Sequence, residues 1–318
     1  MSVINRSTID QNSDVTTTTT LLHEVIPMTG SIMSGVYGPY PDGTNIKTYT
    51  HGMFESVYDY PYLSSSANHI LDLTIGYDET SPLNNAGAVQ NTKKQNLYNQ
   101  FAQLLLGYTS STTDSLRTFQ SALNVGSSPN TTINEAFFLS FSRLLTKDQI
   151  KRGSFSVSLG TGSWSDPFGS GGSKTITLSD LSASYGPESQ VGTSNGGEYG
   201  VLYDAAAPGG SSEKARGLIF YQAGIAVITC SVFNGEFGEA ASDTVAKVMS
   251  GSAITGSTSI LRHRINNISY NNTTEINSSI YFCRIPHNEY NYSSNPTYLS
   301  GSKIRVKNTA TDSPVSYI

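Results

Sequence analysis

The stretch that decides the fold is Leu218-Ile219-Phe220-Tyr221-Gln222-Ala223-Gly224-Ile225-Ala226-Val227-Ile228-Thr229. Two short apolar runs are joined by Gln222-Ala223-Gly224, a loop of hairpin length whose glycine can take a positive φ. Almost nothing polar interrupts either run, so both strands should be covered on both faces. This predicts a central hairpin over 218–230 and a sheet that other segments must flank.

On the N-terminal side, Ser154-Phe155-Ser156-Val157-Ser158-Leu159 alternates polar and apolar, the pattern of a half-buried strand. Gly160 to Gly172 reads as an exposed Gly/Ser loop, and Lys174 to Leu178 alternates again. Further upstream the period changes. Leu97, Phe101, Leu104 and Leu105 fall on one helix face; Thr113 could cap a second helix carrying Leu116, Phe119 and Leu123. Thr132 and Glu135 form a capping-box pattern before Phe137, Phe138, Phe141, Leu144 and Leu145, which predicts a third helix. On the C-terminal side, 239–250 and 257–266 are expected as helices, with a long strand from Ile276 to Ile285 and another from Ile304 to Lys307. Val315 to Ile318 reads as a strand only begun, which pairs with a partner or continues in a longer chain.

Between Leu21 and Asp72, Pro27, Gly30, Gly35, Gly38, Pro39, Pro41 and Gly43 break the text into short strands and turns. Residues 1–20 end in Val15 and five threonines, Thr16 to Thr20. They favour extended structure and carry too little apolar surface for a core. The expectation is an arm ordered only against a neighbouring subunit. The whole reads as an α+β chain in four segments: an extended N-terminal arm over 1–20, an irregular short-strand segment with interface contacts over 21–95, a helical segment over 96–150 that makes a short helical layer, and a β-rich structural domain over 151–318.

Composition narrows the function classes. Of 318 residues 14% are charged, against roughly 25% in an average soluble domain, and Ser, Thr and Asn fill about a third of the chain. That disfavours a charged disordered tail and a helical bundle with a Glu/Lys surface. A net charge of −5 with scattered basic residues disfavours nucleic-acid binding; Lys303-Ile304-Arg305-Val306-Lys307 reads as one solvated strand face. No apolar run is long enough to span a bilayer, and Met1 to Thr20 holds no secretory h-region. Cys230 and Cys283 read as buried free thiols, a disulfide between them depending on their separation.

Chemistry is hard to find. There is no phosphate-binding loop, dinucleotide fingerprint, HExxH, CxxC or GxSxG motif, so no cofactor, no metal and no catalytic role is expected. Asp72, Asp78 and Glu79, and again Glu236 and Glu239, could supply paired carboxylates only if two of them faced one cleft. Asn-x-Ser/Thr triplets at Asn267, Asn271, Asn272 and Asn277 follow from the composition. The tyrosines stand out instead. Tyr58, Tyr60 and Tyr62, and the alternating Tyr290, Asn291, Tyr292 and Asn295, suit a subunit interface, because tyrosine supplies rigid contact area and asparagine bonds to exposed backbone.

Several stretches also resemble a known group. Asn271 to Arg284 (NNTTEINSSIYFCR) with Asn288 to Pro296 (NEYNYSSNP), Ile150 to Phe155 (IKRGSF), and Gly217 to Val227 (GLIFYQAGIAV) are similar to large virion structural proteins of contractile-tailed, T4-like bacteriophages of marine bacteria. The resemblance runs from about residue 134 to the end. It implies a particle component of the tail or baseplate, assembled in the host cytoplasm from copies of itself and other virion proteins. A neck or head position is the alternative place. A receptor-binding adhesin is the alternative activity; it would contact the host surface and hold glycans through Trp164 in the 160–173 loop.

Overall fold

The computed structural model of the chain describes residues 10–12, 14–35, 42–85, 87–108, 116, 118–119, 133–180, 191–204, 215–233, 235–282, 299–300, 303–307 and 314–317. Strands hold 42% of it and helices 21%, and the main sheet is a curled antiparallel half-barrel, which bears out the β-rich α+β expectation. The chain divides into two compact units, Leu21–Thr274 and a smaller one formed by Met1–Thr20 with Glu275–Ile318. The second boundary falls inside the segment expected as one domain over 151–318.

The strands, in chain order, begin with β1 (Val15–Thr29), β2 (Ile46–Thr48), β3 (Glu55–Tyr58), β4 (His69–Tyr77) and β5 (Glu135–Phe141). There follow β6 (Gln149–Ile150), β7 (Ser156–Gly160), β8 (Thr175–Ser179), β9 (Val191–Ser194) and β10 (Gly197–Asp204). The last of the large sheet are β11 (Ala215–Phe220), β12 (Ile225–Thr229) and β13 (Ile265–Tyr281). Their order is β1-β13-β7-β8-β10-β11-β12-β5-β4-β3-β2, with β6 added beside β13 and β9 beside β10. Among the described residues the α-helices are α1 (Gly30–Ser34), α2 (Asn91–Leu105), α3 (Arg143–Thr146), α4 (Val245–Met249) and α5 (Ile254–His263).

The 218–230 hairpin is central, as its apolar text demands. β11 pairs with β12 from Gly217↔Ile228 to Phe220↔Ile225, and Gly224 closes the turn at φ +66° with its N–H on the Phe220 carbonyl. Ile219, Ala226 and Ile228 enter one apolar cluster; Leu218, Phe220, Ile225 and Val227 enter the other. Met249, Ile254 and Leu261 of α4 and α5 join the first cluster, and Tyr98, Ala102 and Leu105 of α2 join the second. α2 approaches β4 closely at Gly76, where an added Cβ would lie 2.8 Å from backbone atoms of Lys94 and Tyr98.

The expected helix over Leu97, Phe101, Leu104 and Leu105 is α2. The expected third helix is instead β5, inserted between β12 and β4. Phe137, Leu139 and Phe141 face one cluster, Ala136 and Phe138 the other. A strand buried on both faces reads as continuous apolar text, and that text also satisfies helical spacing. Burial between two neighbouring strands decided the matter, and only the four-residue α3 follows it. Of the second expected helix, Thr113 and Leu123 lie outside the described residues. Leu116 bridges Tyr108, and Phe119 is buried edge-on to Tyr98.

Three further expectations change. The helices near 239–250 and 257–266 are α4, capped by the Thr244 hydroxyl, and α5. The long strand begins at Ile265, eleven residues before Ile276. The 160–173 loop is only partly exposed: Gly162 and Pro167 are buried, and the Arg264 guanidinium holds the Gly160 and Gly162 carbonyls. In the smaller unit, β14 (Leu299–Ser300), β15 (Lys303–Lys307) and β16 (Pro314–Tyr317) form a separate antiparallel sheet. Val315 therefore pairs within the chain, with Val306, where the expectation was a partner or continuation in a longer chain.

Candidate functional site

The threonine run does not wander. β1 lies beside β13 in the same chain, which corrects the expectation of an arm ordered only by a neighbour. In the smaller unit the Thr19 hydroxyl donates to Asn277 Oδ1 at 2.7 Å, and the Phe282 N–H donates to the Asp14 carbonyl at 2.8 Å. Val15–Thr20 and Glu275–Tyr281 are exposed along nearly their whole length on both faces. The exposed side chains include Ile276, Ile280, Tyr281 and Phe282. In the larger unit the Glu24 N–H donates to Asn272 Oδ1, and the Asn272 amide donates to the Leu145 carbonyl, so one buried side chain fastens this part of β1. Leu21, Leu22 and Val25 there are 53%, 52% and 64% exposed.

The other end of the sheet is different. β2 is three residues long and carries Lys47, whose ammonium lies 4.7 Å from the Tyr49 ring centroid. Tyr49, His51 and Phe54 pack together beside it, with centroids 4.5–5.4 Å apart. Tyr58 ends β3 with its ring 5.5 Å from His69 and 6.3 Å from Tyr62; burial and the nearby Tyr49 raise its hydroxyl pKa. Tyr60 and Tyr62 are exposed, as an interface reading requires. Tyr290, Asn291, Tyr292 and Asn295 lie outside the described residues, as does Cys283. Cys230 is a buried free thiol beside the Met249 sulfur, its pKa raised by burial.

Ser56, His69 and Asp72 bring hydrolytic residue types together on β3 and β4. Their geometry does not form a relay, because the serine hydroxyl and His69 Nε2 both bond to Asp72 Oδ1. The imidazole therefore does not stand between hydroxyl and carboxylate, as a general base must. Asp78 accepts from Thr80, and Glu236 Oε1 accepts from the Trp164 backbone N–H. Trp164 itself is half-buried, its ring 4.4 Å from His263. Burial, and the charges of Arg264 and Arg262, lower the His263 pKa. Among the described residues no group of three His, Cys, Asp or Glu is placed to hold a metal ion, and no helix is long and apolar enough to cross a membrane.

Four buried ionisable groups that the sequence did not single out serve the frame. Arg264 is fully buried between the Phe233 and Phe237 rings; it donates to the carbonyls of Gly160, Gly162, Glu236 and Phe237. Burial lowers its pKa, with Glu236 acting the other way. Asp180 accepts from the Gly153 and Phe155 N–H groups and the Tyr221 hydroxyl; desolvation outweighs these donors and brings its pKa up to about 6. Lys94 donates to the Met249 and Gly251 carbonyls at 2.5 and 2.7 Å, and burial lowers its pKa to about 8. Glu55, buried, accepts from Ser259 and Arg262, tying β3 to α5. A single ionisable residue in a strand or helix flank carries no sequence signal of burial, which is why these positions were missed.

No family model, no curated protein and no solved structure matches the chain. What remains is the geometry. It offers bonded, buried polar groups inside and an exposed two-stranded ribbon outside.

Proposed function

We propose that the chain is a structural subunit of a tailed bacteriophage particle, in the tail or baseplate, that works by subunit–subunit assembly and not by catalysis. The observation that carries the reading is the β1–β13 ribbon, with its exposed faces and aliphatic and aromatic side chains. An isolated two-stranded ribbon is marginal in water, so such a surface calls for protein against it. Exposed Tyr60 and Tyr62 offer a second contact of the kind interfaces favour. The resemblance of 150–155, 217–227, 271–284 and 288–296 to virion proteins, read from the sequence alone, favours the particle as the place of work. Trp164 supports the adhesin reading less, because its indole already packs on His263.

The test is mass spectrometry of gradient-purified particles, separated into heads and tails, from a culture producing this chain. The expected result is stoichiometric peptides of the chain in the tail fraction. Recovery only with heads would move it to the neck or head, and absence from particles would overturn the proposal.

A further inference from the structure

We propose that the outer edge of β1 pairs antiparallel with the same edge of a second copy of this chain, about a two-fold axis at Thr18. This goes beyond the assembly reading and is decided on the purified chain alone, so its failure and that reading's failure are separable.

Among the described strands β1 ends the sheet, with β13 on one side and no strand on the other. An open edge presents unpaired N–H and C=O groups, which proteins ordinarily guard with short strands, lysines or prolines. The opposite edge follows that practice, since β2 has three residues and one is Lys47. β1 does not. From Val15 to Ile26 it holds no Lys, Arg or Pro, and Pro27 comes only near its end. Of the two end strands of the sheet, β2 is therefore blunted and β1 left able to accept a strand.

The sequence of the edge selects the occupant. Thr16 to Thr20 is its own complement when read in reverse. Centred on Thr18, antiparallel pairing sets Thr17 against Thr19, Thr16 against Thr20, and Val15 against Leu21. Cross-strand threonine and aliphatic pairs each favour a ladder. Charge fixes the register. Centring one residue later would oppose Asp14 to Glu24, like charges directly across the ladder; centring one residue earlier would oppose Val15 to Thr19 and lose its aliphatic partner. The Thr18 register sets no ionisable side chain from Val15 to Leu21 against another. A two-fold axis makes the contact isologous, so one edge satisfies both copies.

The test uses the full chain carrying Cys283→Ser. Sedimentation should show a mass that doubles as concentration rises. Thr18→Lys places two ammonium groups across the axis and should leave a monomer, with circular dichroism unchanged because the site is exposed. Thr18→Cys should give a disulfide-linked dimer under mild oxidation, since directly opposed strand positions have the Cα separation a disulfide needs. Ser278→Cys, on β13, should not. A chain that stays monomeric, a dimer that survives Thr18→Lys, cross-linking at 278 and not at 18, or β1 protection only on mixing with a different protein would each overturn the proposal.

Discussion

Arg264 shows how a single residue can organise a region without touching a ligand. Its guanidinium is out of water, with no carboxylate bonded to it, and four backbone carbonyls surround it. Those carbonyls belong to the 160–173 loop and to the segment before α4, so the cation joins two stretches with no ladder between them. Removing it strands several acceptors at once. Arg264→Met should therefore destabilise the chain by about 3 kcal/mol or more in urea unfolding. Arg264→Lys should rescue little, because one ammonium cannot span the same fork of acceptors.

At the same scale, Asp180 gives a pH dependence whose sign can be worked out. Its folded pKa, about 6, lies above the ordinary carboxylate value, so the fold favours the protonated form. Its contribution to stability is then fully present below about pH 4 and is lost as pH rises toward 6, in all about 3 kcal/mol. Urea midpoints measured across that window should show the fall, and Asp180→Asn should abolish that slope. Tyr221→Phe deletes a donor to the ionised carboxylate, so it should extend the loss to higher pH.

At the scale of elements, α2 and β4 meet at a contact that only glycine allows. A methyl at Gly76 would press on the α2 backbone at Lys94 and Tyr98, and neither atom is the end of a flexible side chain. Gly76→Ala should cost about 1–3 kcal/mol, read as a lowered urea midpoint. Nothing in the text around Gly76 announces this, since a strand glycine looks the same whether a helix rests on it or not. The central hairpin was legible because β11 and β12 are apolar, short and joined at a glycine that needs positive φ. α2 was legible because one of its faces is polar. β5 was not, because burial on both faces erases the period that separates strand from helix. The exposed tyrosines at 60 and 62 were legible as surface, whereas the ion pair of Glu55 with Arg262 joins residues 207 apart and leaves no local trace.

For the whole molecule, the division between interior and edge is the main result. The buried polar groups discussed above are bonded to the frame, and the Ser56–His69–Asp72 group has the residues of a hydrolase without its order of contacts. Among the described strands β1 ends the sheet, with no Lys, Arg or Pro from Val15 to Ile26. The threonine run is legible in the sequence as extended chain. That it lies beside β13 at the end of the described sheet required the strand order.

Amide hydrogen exchange tests the proposed edge pairing, comparing the dilute monomer with the chain in the particle proposed above. In the monomer, the amides of Val15–Thr20 that face away from β13 should exchange quickly, while those of β5 and β12 stay protected. In the particle the β1 amides should become slow and those of β5 and β12 should not change. Equal exchange along β1 in both states would contradict the account, because the open edge would then have no part in what the chain does.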